Sequence, residues 1–378
     1  MDFRDLKMQY NTYKSQIDHA IQKTINDANF IEGNEVRELE QLLGAYVGVK
    51  NCITCANGTD AMSLLMMAWG IKEGDAVFVP DFTFFSTGEI VSLCGATPIF
   101  VDVCKDTFNI DPIQLEQAIW NVLQEGKLKP RVIIPVDLFG LPADHYEIEE
   151  IAKRYNLLVL EDAAQGFGGK INDKKACSFG DASTTSFFPA KPLGCYGDGG
   201  AIFTNDDTLA ELIRSLKVHG KGKNKYDNFR IGLNSRLDTM QAAILIVKFK
   251  AFVEHELDKV NQVYENYKSL LAGAVSTPFI PSGYYSSFAQ YTIKLRDKYQ
   301  RNELQKKLME SGIPSMIYYE KPLHKQRAFS YLNSDDTLYP ISNTLSETVL
   351  SLPMHPYLTK EQISKISDLI KEFLNSAG

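Results

Sequence analysis

The feature that most constrains the fold of this chain is a regular alternation of short apolar runs with amphipathic segments between residues 50 and 205. Strands that alternate with helices build a mainly parallel sheet covered on both faces, so this region predicts an α/β fold. We predict strands over Cys52–Ala56, Ala76–Val79, Thr97–Val101, Val132–Val136, Leu157–Leu160, Ala182–Ser186 and Ala201–Thr204. We predict helices over Thr59–Trp69, Ser86–Leu93, Pro112–Gln124 and His145–Arg154.

The flanking regions predict helices before this alternation and a second, smaller domain after it. The first 50 residues have the apolar spacing of helices, and Leu237–Lys268 has that of one or two long helices. Beyond them we predict strands at Gln290–Leu295 and Met316–Tyr319 and helices at Gln300–Ser311 and Lys360–Asn375. The sequence therefore predicts a large domain over 1–250 and a smaller α+β domain over 251–378.

Composition and charge favour a globular protein without a nucleic-acid or membrane partner. Apolar residues make up 44% of the 378 residues, charged residues make up 23%, and the net charge is −7. The start of the chain is charged at once, and the longest apolar run, Ala61–Ile71, is too short to span a bilayer. The six cysteines are scattered, with one Cys-x-x-Cys pair at Cys52 and Cys55 but no zinc-site spacing. We expect a cytoplasmic protein with reduced cysteines and no metal.

The loops at the carboxyl ends of the predicted strands are the expected ligand site, because parallel α/β sheets bind ligands at that edge. The first such loop is Asn57-Gly58-Thr59-Asp60, which opens a predicted helix. Glycine and a hydroxyl group at a helix N-terminus can cradle a phosphate. The alternative is a plain helix cap.

Two further strand ends carry charged groups. Asp162 follows the apolar run Leu157–Leu160, where a carboxylate would be partly buried and would need a cation such as a protonated ring nitrogen. Lys191 is the only cation between Lys175 and Arg214, and it is surrounded by aromatic, proline and glycine residues. An apolar setting lowers the pKa of a lysine and makes its amine a nucleophile for carbonyl groups. The alternatives are a helix cap for Asp162 and a solvated loop lysine for Lys191.

These separate features together match the requirements of one cofactor. A lysine that forms a Schiff base, an acid for a pyridine nitrogen and a phosphate cradle are what pyridoxal phosphate requires. The aromatic run Phe82-Thr83-Phe84-Phe85 could supply a ring to stack on the pyridine, although ordinary core packing would also explain it.

Four segments then resemble the DegT/StrS family of sugar aminotransferases. They are Asn57-Gly-Thr-Asp-Ala61, Glu161-Asp-Ala-Ala-Gln165, Ser186-Phe-Phe-Pro-Ala-Lys-Pro-Leu-Gly194 and Gly232-Leu-Asn-Ser-Arg-Leu-Asp238. The resemblance extends from Phe3-Arg-Asp-Leu6 to Ser351-Leu-Pro-Met-His-Pro356 and is closest to aminotransferases of 3-keto nucleotide sugars. It implies pyridoxal-phosphate fold type I, the aspartate-aminotransferase-like fold, with a large mainly parallel-sheet domain and a smaller C-terminal α+β domain.

The resemblance also implies roles for particular residues. Lys191 would bind pyridoxal phosphate covalently and act as the catalytic base, and Asp162 would pair with the ring nitrogen. Gln165 would bind the phenolic oxygen, and Phe84 would stack on the ring. The phosphate would be held by Gly58, Thr59 and Ser186, and in a homodimer also by Asn234 of the neighbouring subunit.

For the substrate, Arg236 is a candidate partner of an anionic group because its planar fork suits a carboxylate or diphosphate. The segment Tyr318-Tyr319-Glu320-Lys321-Pro322-Leu323-His324 resembles the substrate loop of the family, with Tyr318 in place of histidine and Glu320 in place of proline. Tyr318, Tyr319 and His324 are therefore predicted to bind substrate, although His324 could instead lie in an exposed loop.

The resemblance implies transfer of an amino group from L-glutamate, the usual donor in the family, to a UDP-2-acetamido-3-keto sugar for surface polysaccharide biosynthesis. The sugar could be the 3-oxo-glucuronate or the neutral 3-oxo-glucose form. A 3-keto or 4-keto dTDP-sugar is the alternative substrate. A sugar dehydratase or a non-catalytic regulator of the same fold is the alternative of another class.

Overall fold

The helices of the chain follow the predicted alternation closely. The structure is a computed structural model that describes residues 1–222, 224 and 226–376. The α-helices are α1 (Leu6–Asp27), α2 (Asn34–Val47), α3 (Gly58–Ala68), α4 (Ser86–Leu93), α5 (Pro112–Glu125), α6 (His145–Tyr155), α7 (Asp207–Leu216), α8 (Thr239–Ala251), α9 (Leu257–Leu271), α10 (Lys298–Glu310), α11 (Pro340–Thr348) and α12 (Lys360–Ser376). A π-helical segment joins α8 to α9, and short 3₁₀ helices lie at Leu138–Gly140, Leu323–Lys325, Arg327–Leu332 and Asp336–Leu338. No helix within the described ranges is both long and apolar enough to cross a membrane.

A seven-stranded sheet forms the centre of the large part of the chain. The strands are β1 (Asn51–Cys55), β2 (Asp75–Pro80), β3 (Thr97–Val101), β4 (Lys129–Ile133), β5 (Leu158–Asp162), β6 (Lys170–Ile171), β7 (Lys174–Lys175), β8 (Ala182–Ser186), β9 (Gly200–Thr204), β10 (Tyr284–Tyr285), β11 (Tyr291–Lys294) and β12 (Val349–Leu352). The order in the sheet is β1-β9-β8-β5-β4-β2-β3. Strand β9 runs antiparallel to the other six strands, which are parallel to one another. The prediction of a mainly parallel sheet is therefore correct.

Helices cover both faces of this sheet, as alternate side chains of its strands point to opposite sides. On β2, Val77 and Val79 pack in one core cluster with α3, α4 and α7. Ala76 and Phe78 pack in another with α5 and α6. Near β1 and β9 the second face is covered by α2 and α8. This three-layer arrangement leaves the carboxyl ends of the parallel strands free to build a site.

The C-terminal part has a core of its own. The antiparallel pair β11–β12 packs with α9, α10 and α12 around Tyr267, Tyr291 and Leu304. The chain then returns to the large sheet, where Leu323 and Phe329 pack into its core cluster. The division of the chain into domains at residue 250 stays a prediction.

Two predicted strands differ from the structure. Met316–Tyr319 is not a strand: Met316 alone bridges Ser351, and Tyr318 and Tyr319 turn away to pack on the rings of Phe3 and Phe82. The prediction Val132–Val136 is displaced, since β4 ends at Ile133. Pro135 has no N–H to continue the ladder, and Val136 forms only an isolated bridge.

Candidate active site

The two charged groups predicted for the cofactor lie at adjoining strand ends. Asp162 is the last residue of β5, and Lys191 lies in the loop after β8, the parallel neighbour of β5. The carboxylate of Asp162 is almost completely buried. Its Oδ1 accepts from the backbone N–H of Ala164 at 3.1 Å, and its Oδ2 accepts from the hydroxyl of Thr87 at 3.1 Å. Asp162 is therefore held in one orientation at the edge of the sheet.

Burial changes the proton affinity of both groups. It raises the pKa of Asp162, against the opposing effects of the Ala164 N–H, the Lys191 charge and the Thr87 hydroxyl. It lowers the pKa of Lys191, with Asp162 opposing and Arg4 adding to the decrease. A neutral amine is therefore more accessible on Lys191 than on an exposed lysine, and the charge of Lys191 does not offset the effect of burial on Asp162. A protonated ring nitrogen would supply a further cation.

The predicted phosphate cradle is formed by the start of α3 and the end of β8. Asn57 caps α3, and its side chain accepts from the N–H of Asp60 at 2.7 Å. A Cβ atom on Gly58 would lie 2.8 Å from the Cβ of Ser186, which is the last residue of β8. The absence of a side chain at Gly58 thus keeps a space beside two hydroxyl residues, Thr59 and Ser186, at a helix N-terminus. The residues present fit a phosphate group.

Substitution of Gly58 by alanine should weaken cofactor binding. The added methyl group occupies the space beside Ser186, so we expect the Kd for pyridoxal phosphate to rise by about tenfold or more, as loss of one good contact to a charged group does. The measurement is a cofactor titration of the apoprotein followed by absorbance. Gly44→Ala in α2 is the matched control, because a Cβ there meets only ordinary contacts, the nearest at 3.4 Å. An unchanged Kd in folded Gly58→Ala would contradict the assignment of the cradle.

The remaining residues predicted around the cofactor ring also converge. Gln165 is buried; its Oε1 accepts from the N–H of Phe139 at 2.7 Å, and its Nε2 donates to the hydroxyl of Tyr319 at 3.0 Å. The ring of Phe84 lies 6.3 Å from that of Tyr319 and is half exposed. Tyr318 packs on Phe3 instead. Gln165, Phe84 and Tyr319 therefore form one wall of the site.

Asn234 and Arg236 flank Ser235, which is buried. The hydroxyl of Ser235 between them accepts from the N–H of Ala56 at 3.1 Å, directly before the cradle. Asn234 is exposed and accepts a hydrogen bond from Arg236, which is partly exposed. Their predicted roles in binding stay predictions.

The predicted substrate residue His324 has other partners. Its Nδ1 lies 2.7 Å from Asp81 and its Nε2 lies 2.8 Å from Asp336, and only 3% of its side chain is exposed. It is therefore not in the exposed loop that was the alternative. Direct contact with a substrate stays a prediction.

Sequence reasoning missed several residues of this site. Thr87 holds Asp162, and the hydroxyl of Ser287 donates to the backbone oxygen of Gln165 at 2.8 Å. Arg4 lies with Lys191 around one cavity, and burial lowers its pKa to about 10 against the effect of Glu256. The one available signal was the quoted motif Phe3-Arg-Asp-Leu6, which contains Arg4.

A buried cluster also lies behind Asp162. Asp137, His145 and Glu161 offer ligand atoms within 4.8 Å of one another. They already bind each other and the backbone: His145 Nε2 lies 2.8 Å from Asp137, and Glu161 accepts from the N–H groups of Cys177 and Phe179. We interpret the cluster as support for the strand end rather than as a metal site.

Comparison with known proteins identifies the family of this chain. Residues 11–371 match the model of the DegT/DnrJ/EryC1/StrS aminotransferase family. The chain belongs to this family. Membership confirms the α/β fold of pyridoxal-phosphate fold type I, the enzyme class of aminotransferases and the predicted cofactor at the level of the family.

The relatives within the DegT/DnrJ/EryC1/StrS family differ in their described activities. The chain is 44% identical to the UDP-2-acetamido-2-deoxy-3-oxo-D-glucuronate aminotransferase of Pseudomonas aeruginosa, over 97% of this chain and 98% of the relative. It is 43% identical to the pleiotropic regulatory protein of Geobacillus stearothermophilus, over 98% and 97%. It is 39% identical to the UDP-N-acetyl-3-dehydro-alpha-D-glucosamine 3-aminotransferase of Acidithiobacillus ferrooxidans, over 98% and 97%.

A solved structure extends the agreement to the whole fold. A DegT/DnrJ/EryC1/StrS aminotransferase from Brucella abortus superimposes with a TM-score of 0.96 at 47% identity, and 99% of each chain is covered. The site described above therefore lies on the fold of this aminotransferase family.

Proposed function

We propose that this chain transfers an amino group from L-glutamate to the keto carbon of a UDP-2-acetamido-3-keto sugar, in the cytoplasm and for surface polysaccharide biosynthesis. The observation that carries the proposal is the convergence of Lys191, Asp162 and the Gly58–Ser186 cradle at one edge of the sheet. Two of the relatives described above act on 3-oxo UDP-sugars, which supports this substrate class.

Each residue of the site has a definite task in this reaction. Bound pyridoxal phosphate supplies a carbonyl group that accepts amines and a ring that accepts electrons. The amine of Lys191 would hold that carbonyl group and, when free, would carry the proton that leaves the donor α-carbon. Asp162 would keep the ring nitrogen protonated, and Gln165 would donate to the phenolic oxygen. Phe84 would lie against the ring.

A basic segment supports a substrate that carries a diphosphate. Residues 214–236 contain seven Lys or Arg residues and one Asp, in a chain whose net charge is −7. Lys221, Arg230 and Arg236 line one surface depression there. A guanidinium fork and an ammonium group suit the oxygens of a nucleoside diphosphate.

The same segment supports a homodimer with shared sites. Asn234 is exposed and Arg236 partly exposed, and the nearby residues Phe229 and Ile231 are 65% and 87% exposed. Phe229 and Ile231 line the same depression as Arg236, and exposed apolar residues grouped in this way are typical of an interface. In the proposed dimer, Asn234 contacts the phosphate and Arg236 contacts the substrate bound in the second subunit.

A second candidate function is regulation without catalysis, which the name of the Geobacillus relative favours. A regulator has no need for an amine of lowered pKa beside a buried acid, so the pair Lys191 and Asp162 supports the enzyme. A dehydratase in the resembling family carries histidine at the lysine position, and Lys191 opposes that alternative. A dTDP-sugar stays the alternative substrate.

The test is a single half-reaction. The purified protein is loaded with pyridoxamine phosphate and mixed separately with 3-keto and 4-keto UDP- and dTDP-sugars, and the return of the yellow cofactor band is followed. We expect the 3-oxo-UDP-2-acetamido sugars to react. The KM values for the glucuronate and the neutral form are then compared, and the sugar with the lower KM is the preferred substrate. Reaction with 4-keto sugars alone would contradict the proposed substrate, and no reaction with any sugar would favour the regulator.

A further inference from the structure

His324 is bound by two carboxylates at once. Its Nδ1 lies 2.7 Å from Asp81 Oδ2, and its Nε2 lies 2.8 Å from Asp336 Oδ1. Its backbone N–H donates to Asp81 Oδ1 at 2.8 Å, and its ring stacks on Tyr339 with 4.3 Å between centroids. The side chain has no room to contact a ligand without breaking these bonds, because 97% of its surface is covered.

The geometry favours a charged ring. An ionised carboxylate only accepts hydrogen bonds, so two ionised partners require both nitrogens of His324 to donate, which only an imidazolium can do. Burial raises the pKa of Asp81, and the hydrogen bonds and charge of His324 act in the opposite direction. Burial lowers the pKa of His324, but the hydrogen bonds and charges of Asp81 and Asp336 act in the opposite direction and leave the pKa above its ordinary value.

The charged and titratable groups on the surrounding elements favour the cation. Asp81 follows β2, and Asp102 faces Asp81 from the end of β3. Asp336 begins the 3₁₀ helix Asp336–Leu338, and Tyr339 directly follows that helix. The only cation among these contacts on the described residues is Lys325, which pairs with Asp336 at 2.9 Å.

Asp81 connects this cluster to the active site. It directly precedes the aromatic run, and the rings of Phe82 and Phe84 lie 6.0 and 6.3 Å from Tyr319. Its backbone oxygen also accepts from the N–H of Leu323 at 2.8 Å. The segment Tyr318–His324 is thus fastened at its start by Gln165, through Tyr319, and at its end by Asp81.

We propose that His324 is a positioning residue whose imidazolium, bridging Asp81 and Asp336, fixes the segment Tyr318–His324 in the position in which Tyr319 binds the sugar. This proposal rests on the proposed function. Loss of the proton leaves a bare ring nitrogen facing a carboxylate, which loses one hydrogen bond and loosens the end of the segment. Binding of the keto sugar therefore weakens as the pH rises through the pKa of His324.

The first measurement reports the charge of the ring directly. The holoenzyme is labelled with [¹³Cε1]-histidine and titrated by NMR, with the His324 signal identified by its absence in His324→Gln. We expect the pKa of His324 to lie above 6.5 and to fall by about one unit in Asp336→Asn, since a nearby opposite charge is removed. Asp335→Asn is the matched control, because Asp335 caps Thr337. A pKa at or below the ordinary value would overturn the proposal.

The second measurement reports positioning. The KM of the keto-sugar half-reaction should rise above the pKa of His324, and this rise should begin about one pH unit lower in Asp336→Asn. In His324→Gln we expect the KM to be raised about tenfold or more at all pH values, as a misplaced binding group produces. The kcat of the keto-sugar half-reaction should change less than its KM.

The outcomes separate the two proposals. Unchanged sugar KM and pH profile in both variants would overturn the positioning role while the aminotransferase activity remains. Absence of any sugar half-reaction in the unmodified enzyme would instead contradict the proposed function. Asp336→Asn keeps the test valid if His324→Gln does not fold, because the side chain of Asp336 is 62% exposed.

Discussion

Replacement of Lys191 by alanine should abolish transamination and leave the fold intact. In the proposed reaction this lysine supplies both the bond to the cofactor and the proton transfer, so we expect the turnover rate to fall by about 10⁴-fold or more. The free energy of unfolding of the apoprotein should not decrease. Because the pKa of Lys191 is lower in the folded chain than in the unfolded chain, charging this amine opposes folding at neutral pH.

The measurement has three parts: the rate of the glutamate half-reaction, borohydride reduction followed by peptide mass spectrometry, and thermal unfolding of the apoprotein. Reduction should attach the cofactor to the peptide that contains Lys191 in the unmodified protein and not in Lys191→Ala. Lys153→Ala is the matched control, since the side chain of Lys153 is 68% exposed on α6. A Lys191→Ala variant that still transaminates would eliminate the proposed chemistry.

Substitution of Asp162 by asparagine should reduce turnover by about 10²–10³-fold, as loss of one preorganised charge in an active site does. The neutral amide keeps the size of the side chain but cannot hold the ring nitrogen in its protonated form. Turnover and the absorbance of the bound cofactor are measured together, because a change in ring protonation alters the spectrum and simple misfolding does not.

The stability of the Asp162→Asn apoprotein should be equal to or greater than that of the unmodified apoprotein at pH 7. Burial raises the pKa of Asp162 in the folded state, so ionising the carboxylate as the pH rises opposes folding, and asparagine removes this cost. Asp75→Asn is the control. Asp75 begins β2, so it lies at the edge of the sheet opposite the site, and it is buried and paired with Arg131 at 3.3 Å. That variant should be less stable but fully active. An Asp162→Asn variant that is less stable but fully active would contradict the assignment of Asp162.

The strand ends carried most of what could be predicted about the site. Residues Gly58, Asp162 and Lys191 each follow an apolar run, and the rule that parallel strands end at one edge brings them together without knowledge of their contacts. β3, β8 and α4 have the predicted bounds. A glycine lies within two residues of one end of each: Gly95 before β3, Gly180 before β8 and Gly95 after α4. Their local signals and the tertiary fold agree.

The structure departs from the predictions where long-range contacts outweigh local preference. The run Met316–Tyr319 has the composition of a strand, yet its tyrosines contribute to the wall of the site. The two-residue strands β6, β7 and β10 are too short to leave a pattern in the sequence. β6 and β7 form a local hairpin, and β10 pairs with β6 from more than 100 residues away. Helix α7 was not predicted although Asp206 caps it.

The sequence by itself determined the layered α/β fold and the aminotransferase family, because periodicity and short motifs are properties of neighbouring residues. It also singled out Lys191 and Asp162, whose catalytic roles stay predictions. Only the tertiary structure decided what those residues touch. It placed Thr87 on Asp162 and Ser287 on the backbone of Gln165, and it paired His324 with Asp81 across 243 positions of the chain. Such pairs have no sequence pattern, since they depend on the order of strands in the sheet and on the return of the C-terminal part onto its edge.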